Sequence, residues 1–379
     1  MNKNALIHKT RVLVPPFIRR IIKRKINVPE YVKYEREINN PFFNDPDEVL
    51  FEESKYTIGI FRDFYQYHKS YIKACRSLKV SYKLLNLYDP NWQKNVLESG
   101  CDAFLIWPDV GNTIWKEMTD DKIRILSEDL NLCVFPSVKE IWLYENKNRL
   151  QDWNRAHNLP QPKTWLFYEM IEALNFASEC KLPIICKSNI GATARGVKVF
   201  RDRSKLKRFI KKTFKKGFTI NGYHPLDKQW GRIYLQEFLE DVEEWRMIRI
   251  GDSYFGYRKE KTGDFHSGSG KWSWLDPGTE LLDFLKKVTD IGNFKSMDVD
   301  VFKDKNGNFF INELQALFGA SHPKEMLVID GVEGRYIYEN NKWVFEAGAF
   351  SENECSNLRV EYLLSLLEKK DTQVKLKTK

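Results

Sequence analysis

Four polar side chains could bind a metal ion, because the sequence places them on one face of a predicted β-hairpin: Asp298, Asp300, Glu313 and Gln315. Asn306-Gly307 separates two alternating apolar runs, and both residues tolerate the positive φ of a type I′ turn. This turn sets Asp300 opposite Glu313 and Asp298 opposite Gln315. Directly opposed residues have Cβ atoms about 5 Å apart, so two carboxylates there repel each other unless a cation intervenes, and Mg²⁺ suits such oxygen ligands. A solvent-exposed polar hairpin face would show the same pattern.

A lysine that ends an apolar strand could bind phosphate together with the loop that follows it. Lys187 closes the apolar run Ile184–Lys187, and the next loop contains Gly191, Thr193 and Gly196. The lysine would supply positive charge, and backbone N–H groups of the loop would donate to phosphate oxygens. The spacing differs from the loop G-x-x-x-x-G-K-[ST]. A structural strand–turn–strand unit would explain the glycines equally well.

A third segment lies between these two and also suits a nucleotide. Residues 234–246 predict a strand, an exposed connection and a second strand, and the pattern continues to Arg258. Backbone groups of the connection could bind a base, an acid could bind ribose hydroxyls, and arginines could neutralise developing phosphate charge. Each of these residues, taken alone, is also a common surface charge.

The elements that must position these groups begin with alternating strands and helices. Apolar runs predict strands at 57–61, 82–87, 103–107 and 131–135, and helical spacing predicts a helix at 65–79. This alternation favours a small parallel α/β domain. No glycine-rich phosphate-binding turn occurs there, so nucleotide binding is expected further along. The next elements are predicted as a helix at 171–180, strands at 184–187 and 197–200, and a basic helix from Ser204.

The composition is that of a globular chain of two or three domains, with 379 residues of which 42% are apolar. Six cysteines form no C-x-x-C pair and the histidines no H-E-x-x-H motif, which disfavours a zinc site or a disulfide framework. The net charge of +9 indicates acidic partners such as nucleic acid, anionic lipid or ATP. No secretory signal and no apolar run of 18 residues occurs, which favours a cytoplasmic protein.

Residues 1–50 differ from the rest of the chain. Ile18, Ile21, Ile22 and Ile26 recur at helical spacing among lysines and arginines. Such a basic amphipathic helix could lie on the inner face of an anionic membrane. A solvated arm that packs its isoleucines on the body of the protein is the alternative.

Taken in order, these segments resemble the ATP-grasp superfamily, especially the carboxylate–amine ligase branch that includes the ribosomal-protein glutamate ligase. The resemblance covers about residues 136–319 and implies an α/β fold with α+β elements, in which two lobes clamp ATP. The implied units are a basic arm (1–50), a parallel α/β domain (51–140), a first lobe with the phosphate-binding loop (141–233), and a second lobe with the metal site and a C-terminal extension (234–379).

The resemblance implies ATP and Mg²⁺ as cofactors, with two ions and Mn²⁺ as a substitute. The residues matching ATP contacts are Lys147, Lys187, Gly191, Thr193, Gly196, Gln236, Glu237, Phe238, Leu239 and Glu244. The residues matching metal ligands are Asp300, Glu313 and Gln315, and those matching catalytic arginines at the phosphate or acyl phosphate are Arg246 and Arg258. Two departures stand out: Gln315 replaces the usual Asn, and Gly268 stands where relatives often carry Asn.

An enzyme of this kind activates a carboxylate as an acyl phosphate, which an amine, thiol or hydroxyl then attacks. The expected partners are a small-molecule or glycan carboxylate and a nucleophilic acceptor. Nucleic acid is not expected, because no aromatic–basic recognition motif occurs. A sugar acid or amino acid of cell-surface glycan assembly is the expected substrate, since the basic arm could dock at a membrane. A phosphotransferase and a non-catalytic ATP-binding scaffold are the alternatives.

Overall fold

The computed structural model describes residues 46–191, 196–220, 224–261, 263, 266, 271–273, 275–318, 328–329 and 331–377. The proposed basic arm falls almost wholly outside these ranges, as do Thr193 and Gly268. Within the described parts, the strands form three large sheets and one two-stranded ribbon. None of the described helices is long and apolar enough to cross a bilayer.

The first unit is an α/β layer built on a sheet of strand order β1-β3-β2-β4-β5. Its elements are β1 (Glu48–Val49), β2 (Thr57–Phe61), α1 (Lys69–Ser77), β3 (Ser81–Leu85), α2 (Trp92–Leu97), β4 (Ala103–Leu105), α3 (Thr113–Arg124) with a following π-helical turn (Ile125–Asp129), and β5 (Val134–Phe135). Strands β2 to β5 are parallel, and β1 is antiparallel. The predicted parallel α/β domain is confirmed. Its central strands read as apolar runs because helices cover both faces of a parallel sheet.

The first lobe has an antiparallel sheet of order β6-β11-β7-β8. Its elements are α4 (Val138–Leu143), α5 (Lys147–Ala156), β6 (Thr164–Phe167), α6 (Met170–Glu179), β7 (Ile184–Lys187), β8 (Val197–Phe200), α7 (Arg203–Lys216), β9 (Phe218–Thr219), β10 (Lys228–Gln229) and β11 (Ile233–Glu237). Helix α7 buries Leu206 and Ile210 against the sheet while its basic residues face outward. Strand β11 pairs with both β6 and β7, so its residues as far as Glu237 belong to this sheet.

The second lobe is an eight-stranded sheet of order β16-β15-β12-β13-β18-β17, with β14 paired to β13 and β19 to β18. Its elements are β12 (Glu243–Ile250), β13 (Ser253–Lys259), β14 (Trp272–Ser273), α8 (Gly278–Gly292), β15 (Ser296–Lys303), β16 (Phe309–Gln315), β17 (Val328–Ile329), β18 (Val332–Glu339), β19 (Lys342–Ala347) and α9 (Glu352–Lys377). Helix α8 packs Leu282 and Leu285 in one core with Met247 and Val299. Strand alternation therefore turns the neighbouring polar residues of β12 and β15 to the opposite face.

The β15–β16 hairpin has the predicted register at its polar end but not at its turn. A two-residue turn would have paired Phe302 with Ile311, whereas the structure pairs Phe302 with Phe310. The loop closes one residue wider, because the backbone of Asp304 pairs with Asn308 and only Gly307 has a positive φ. A bulge between Asp300 and Val301 then shifts the register back. The predicted type I′ turn is wrong, and the bulge offsets its error.

The C-terminal extension returns to the first unit. Asn340 and Asn341 form the turn of a hairpin in which β18 pairs with β19, and both turn residues have a positive φ. Helix α9 follows, with non-helical backbone at Asn353–Cys355. Its residues Val360 and Leu363 lie in the same hydrophobic core as Ile58 of β2. This packing ties the end of the chain to the first unit.

Candidate functional site

A row of charged side chains crosses three strands on the free face of the second-lobe sheet. Arg246 on β12 lies opposite Asp300 on β15, and Asp300 lies opposite Glu313 on β16. Directly opposed residues of antiparallel strands point to the same face. The predicted juxtaposition of Asp300 and Glu313 is therefore confirmed, with Arg246 beside them.

Asp300 is a buried carboxylate held by two cations. Arg246 Nε lies 3.2 Å from its Oδ1, and Lys259 Nζ lies 2.5 Å from its Oδ2. Burial raises the pKa of this carboxyl, but Arg246 and Lys259 outweigh burial and lower the pKa to about 2. Asp300 is thus ionised at neutral pH, which is the form that a metal ligand requires.

Lys259 belongs to this cluster, although it is not among the site residues predicted from the sequence. It lies on β13 opposite Glu244, and its Nζ is 2.8 Å from Glu244 Oε1. Burial and Arg246 lower the pKa of Lys259, but Asp300 and Glu244 outweigh them and raise it above its usual range. A two-residue connection at Gly251-Asp252, counted outward, would have predicted this pairing.

Arg258 does not join the cluster, so its expected place in the site is corrected. It lies opposite Trp245, one residue out of step with Arg246 and therefore on the other face of the sheet. Its guanidinium pairs instead with Glu243 at 3.2 Å and with Glu260 at 3.0 Å. Because side chains alternate along a strand, the adjacent Lys259 occupies the position that was predicted for Arg258.

The two predicted phosphate-binding lysines reach the same row from the first lobe. Lys147, the first residue of α5, places its Nζ 3.4 Å from Glu313 Oε1 and donates to Gly191 O at 2.9 Å. Lys187, the last residue of β7, donates to Asn312 Oδ1 at 2.8 Å. Asn312 is the extra residue at the hairpin bulge, and sequence counting gave no sign of its role. These contacts join the two lobes at the predicted metal acids.

The two lysines differ in their electrostatics. Burial lowers the pKa of Lys147, but Glu313 and Glu145 outweigh it and raise the pKa above its usual range. Burial also lowers the pKa of Lys187, and here it dominates and brings the pKa to about 8. A phosphate group beside Lys187 would favour its charged form. Lys187 is therefore the cation of this cluster that gains most from an anionic ligand.

Asp298 and Gln315 extend the polar face beyond Asp300 and Glu313. Asp298 is fully buried and lies opposite Gln315, as predicted. Arg246 Nε is 2.8 Å from Asp298 Oδ2, but the geometry is not that of a hydrogen bond, and neither oxygen accepts one. Burial, in spite of Arg246, raises the pKa of Asp298 well above its ordinary range. Gln315 Nε2 donates to Glu313 at 3.1 Å and to Glu145 at 3.2 Å.

The residues present fit Mg²⁺ bound together with a nucleotide. Buried oxygens of Asp298, Gln315 and Glu145 accept no hydrogen bond, and each such unpaired acceptor costs about 1–3 kcal/mol. In the described parts of the chain, no group of three or more His, Cys, Asp or Glu side chains is arranged to hold a metal ion. Two acids and an amide would need phosphate oxygens and water to complete an octahedron, which is how Mg²⁺ usually binds.

The predicted adenine segment joins the two sheets. Gln236 and Glu237 end β11, and Phe238 and Leu239 begin the connection to β12. The buried amide of Gln236 donates to Thr164 Oγ1 at 3.0 Å, and Glu237 Oε1 accepts from the backbone N–H of Lys163 at 2.6 Å. Their side chains thus fix the end of the strand, and backbone contacts to a base stay a prediction. Glu244, one of the expected ATP contacts, is buried against Lys259.

The glycine loop packs closely around Ser188, although Thr193 lies outside the described residues. Gly191 has a φ of +143°, and a Cβ there would lie 3.1 Å from Ser188 Oγ. A Cβ on Gly196 would lie 1.8 Å from the same oxygen, and Ser188 N donates to Gly196 O at 3.0 Å. Only glycine fits at Gly196 without moving this serine. The two ends of the loop are therefore held together beside Lys147.

Comparison with solved structures identifies the fold. The D-alanine–D-alanine ligase of Bacillus anthracis superposes with a TM-score of 0.54 at 13% identity, over 83% of this chain and 99% of that one. The biotin carboxylase domain of the Hydrogenobacter thermophilus 2-oxoglutarate carboxylase, solved with MgADP, ADP and bicarbonate, gives 0.52 at 15% identity, over 71% and 66%. The chain has the ATP-grasp fold, as expected from the sequence.

Among curated proteins, the chain is similar to the α-aminoadipate–LysW ligase LysX of Sulfurisphaera tokodaii. The two are 26% identical over 179 residues, which are 46% of this chain and 59% of the relative. The chain spans about half the length of the curated relatives it matches. No protein-family model matches it.

Proposed function

We propose that this protein is an ATP-dependent ligase that activates a carboxylate as an acyl phosphate for attack by an amine. One observation carries the proposal: Lys147 and Lys187 of the first lobe meet Asp300, Glu313 and Arg246 of the second lobe in a single buried cluster. The cluster has the charges that ATP and Mg²⁺ require and no nucleophile–base pair of its own. Similarity to a LysX ligase and to a D-alanine–D-alanine ligase supports the same class.

Each group has a separate task in this proposal. Asp300, Glu313 and Gln315 would hold Mg²⁺, which neutralises phosphate charge when bound. Lys147 and Lys187 would neutralise the β- and γ-phosphates, and Arg246 would stabilise the transferring phosphoryl group. The γ-phosphorus would pass from the leaving oxygen of ADP to the substrate carboxylate. The amine would then attack the acyl carbon, lose a proton and expel phosphate.

The substrate proposal is less specific than the reaction. The carboxylate would belong to an amino acid or a sugar acid, and the amine would be the preferred nucleophile, with a thiol or hydroxyl as the alternative. We extend the proposal to cytoplasmic steps in the assembly of cell-surface glycans. This extension depends on the basic segment of residues 1–50 contacting the inner membrane surface, and removing residues 1–30 would test this contact. Membrane partition that is unchanged by the deletion would count against the glycan context.

Hydroxylamine trapping tests the proposed chemistry directly. The protein is incubated with Mg²⁺, ATP, hydroxylamine and a panel of amino acids and sugar acids, and hydroxamate and ADP are measured together. We expect equal amounts of hydroxamate and ADP with at least one carboxylate. A phosphorylated acceptor without hydroxamate would replace ligation by phosphotransfer.

A paired variant separates turnover from background. Asp300→Asn/Glu313→Gln keeps the shapes of both side chains but removes the charges that would hold Mg²⁺. We expect this variant to lose ADP formation by at least about a hundredfold, as expected when transition-state charge loses its partner. The same low ADP release from both proteins, across the whole panel, would favour a non-catalytic ATP-binding scaffold instead.

A further inference from the structure

The side-chain amide of Gln315 is oriented by two acids. Its Nε2 donates to Glu313 Oε2 at 3.1 Å and to Glu145 Oε1 at 3.2 Å. Carboxylate oxygens accept hydrogen bonds and an amide oxygen cannot donate one, so the amide nitrogen has to face both acids. Gln315 Oε1 is therefore turned away from them, and it is buried without a hydrogen-bond partner. The end of the amide that could bind a cation is the end that the protein leaves unpaired.

Glu145 is a buried acid whose two oxygens both face donor groups. The residue is 6% exposed, Gln315 Nε2 lies beside its Oε1, and Lys147 Nζ lies 3.5 Å from its Oε2. Burial raises the pKa of Glu145 in spite of Lys147. A proton on either oxygen would face one of these donors, so the carboxyl group is arranged as an acceptor on both sides.

The backbone at Glu145 has a conformation that is uncommon for glutamate. The residue lies in the connection between α4 and α5 with a φ of +52°, in the left-handed region that residues other than glycine seldom adopt. Such conformations cost free energy, persist where the surroundings impose them, and are concentrated at functional sites. Glycine would relieve this strain but would lose the carboxylate that contacts Gln315.

Helix α5, which follows the connection, fixes it from one side. Asn146 caps this helix by accepting from the backbone N–H of Arg149 at 3.1 Å. The backbone N–H of Lys147 donates to Asn189 O at 3.0 Å, which joins the same turn to the loop after β7. Glu145 is therefore followed directly by two residues whose positions are set by hydrogen bonds.

Helix α4, which precedes the connection, is tied to the second lobe. The Oε1 of Glu140 accepts from the backbone N–H of Lys295 at 2.5 Å and from that of Ser296 at 2.6 Å. Ser296 begins β15, which pairs with β16, the strand that carries Gln315. Glu145 and Gln315 are thus held in one frame, and their contact does not depend on a mobile segment of either lobe.

Gln315 benefits from such a contact because its side chain is long. A glutamine has several rotatable bonds, and holding it in one geometry costs conformational entropy. Side chains that bind metals are commonly oriented by a hydrogen bond to a group that is not itself a ligand. Glu145 lies outside the predicted ligand set of Asp300, Glu313 and Gln315, and it supplies a contact of this kind.

We propose that Glu145 is a positioning residue for the Mg²⁺ ligand Gln315, whose amide it orients so that Oε1 is presented to the metal ion. The inference rests on the proposed function, since it requires Asp300, Glu313 and Gln315 to hold Mg²⁺. Glu145 itself does not bind the metal in this account. Its whole effect on Mg²⁺ passes through the amide of Gln315.

Mg²⁺ titration of ATP binding tests this role without measuring turnover. Calorimetry gives the free Mg²⁺ concentration at which half of the Mg²⁺-dependent gain in ATP affinity is reached. Glu145→Asp keeps the charge but shortens the side chain by one methylene group, so its carboxylate no longer reaches Gln315. Glu243→Asp is the matched control, because it makes the same change at an acid that pairs with Arg258 on the other face of the sheet. Gln315→Leu and Glu145→Asp/Gln315→Leu complete the set.

We expect Glu145→Asp to raise this Mg²⁺ concentration about tenfold, as is typical when a metal ligand loses the group that orients it. Glu243→Asp should leave it unchanged. In the Gln315→Leu protein, adding Glu145→Asp should change it by less than about twofold, because no amide remains to be oriented. The affinity for ATP in EDTA should stay at the wild-type value in all variants, which shows that they fold.

Two results would overturn the positioning role alone: wild-type Mg²⁺ dependence in Glu145→Asp, or a further tenfold loss when Glu145→Asp is added to Gln315→Leu. The second result would mean that Glu145 acts on the metal independently of Gln315. Asp300→Asn/Glu313→Gln is titrated in parallel. Wild-type Mg²⁺ dependence in that variant would overturn the metal assignment of the proposed function, and the positioning role with it.

Discussion

Replacing Lys187 by methionine should stabilise the protein in the absence of nucleotide and remove its affinity for ATP. Burial lowers the pKa of Lys187 from 10.5 to about 8. A tenfold change in proton affinity is worth ~1.4 kcal/mol, so the charged form costs the folded state about 3 kcal/mol at pH 7. Methionine removes this cost but also the hydrogen bond to Asn312, worth about 1 kcal/mol. The net gain is about 2 kcal/mol.

The pH dependence has a definite sign. Between pH 8 and pH 10.5 the unfolded chain keeps the proton of Lys187 while the folded protein releases it. The unfolded state then binds more protons, so the free energy of unfolding of the wild-type protein rises with pH in this window. A Lys187→Met variant should lack this rise, because it has no titrating group at the position.

Lys147→Met is the matched control, since it removes the same charge from the same cluster. Lys147 is surrounded by Glu313 and Glu145, so its loss leaves two buried acids without their cation and should destabilise the protein. Urea unfolding at pH 7 and at pH 9.5, without nucleotide, measures both variants, and ATP titration follows each. A Lys187→Met protein that is as destabilised as Lys147→Met would refute the reasoning.

Three further predictions follow from the site. Arg246→Ala should lower ATP turnover by about a hundredfold or more, whereas Arg258→Ala should change it less than about threefold; equal losses would put Arg258 back in the site. Gly196→Ala should raise the KM for ATP and leave circular dichroism unchanged, because its Cβ would displace Ser188; an unchanged KM would show that the loop does not contact ATP. Asn312→Ala should lower unfolding free energy by about 1–2 kcal/mol in urea, and wild-type stability would contradict this.

The sequence predicted the pairing of Asp300 with Glu313 correctly, because two local deviations from a regular hairpin cancel each other's effect on the strand register. The loop at Gly307 is one residue wider than a type I′ turn, and the bulge at Asn312 returns Asp300 to Glu313. Counting from the turn therefore gave the right partners for the acids and the wrong partner for Phe302. A bulge depends on how the strand fits its neighbours, which the alternating pattern does not encode.

Other parts of the site depend on contacts between distant segments. Glu145 meets Gln315 only when α5 packs beside β16, and no local spacing predicts that contact. The position of Lys259 could have been predicted by counting outward from the β12–β13 connection. The adjacent Arg258 is an equally suitable residue type for binding phosphate, so residue type alone did not distinguish the two. Helix α9 packs against the first unit through a core shared with β2, which depends on the assembled fold rather than on the apolar residues of either element alone.

The most direct test of the central claim is the Mg²⁺ dependence of ATP binding. Calorimetry measures ATP affinity with Mg²⁺ and with EDTA, for the wild-type protein and for Asp300→Asn/Glu313→Gln. We predict that Mg²⁺ tightens wild-type binding by about tenfold or more, and that the double variant loses this gain while keeping its affinity for metal-free ATP. Equal affinities for Mg-ATP in the two proteins would contradict the assignment of Asp300 and Glu313 as the metal acids.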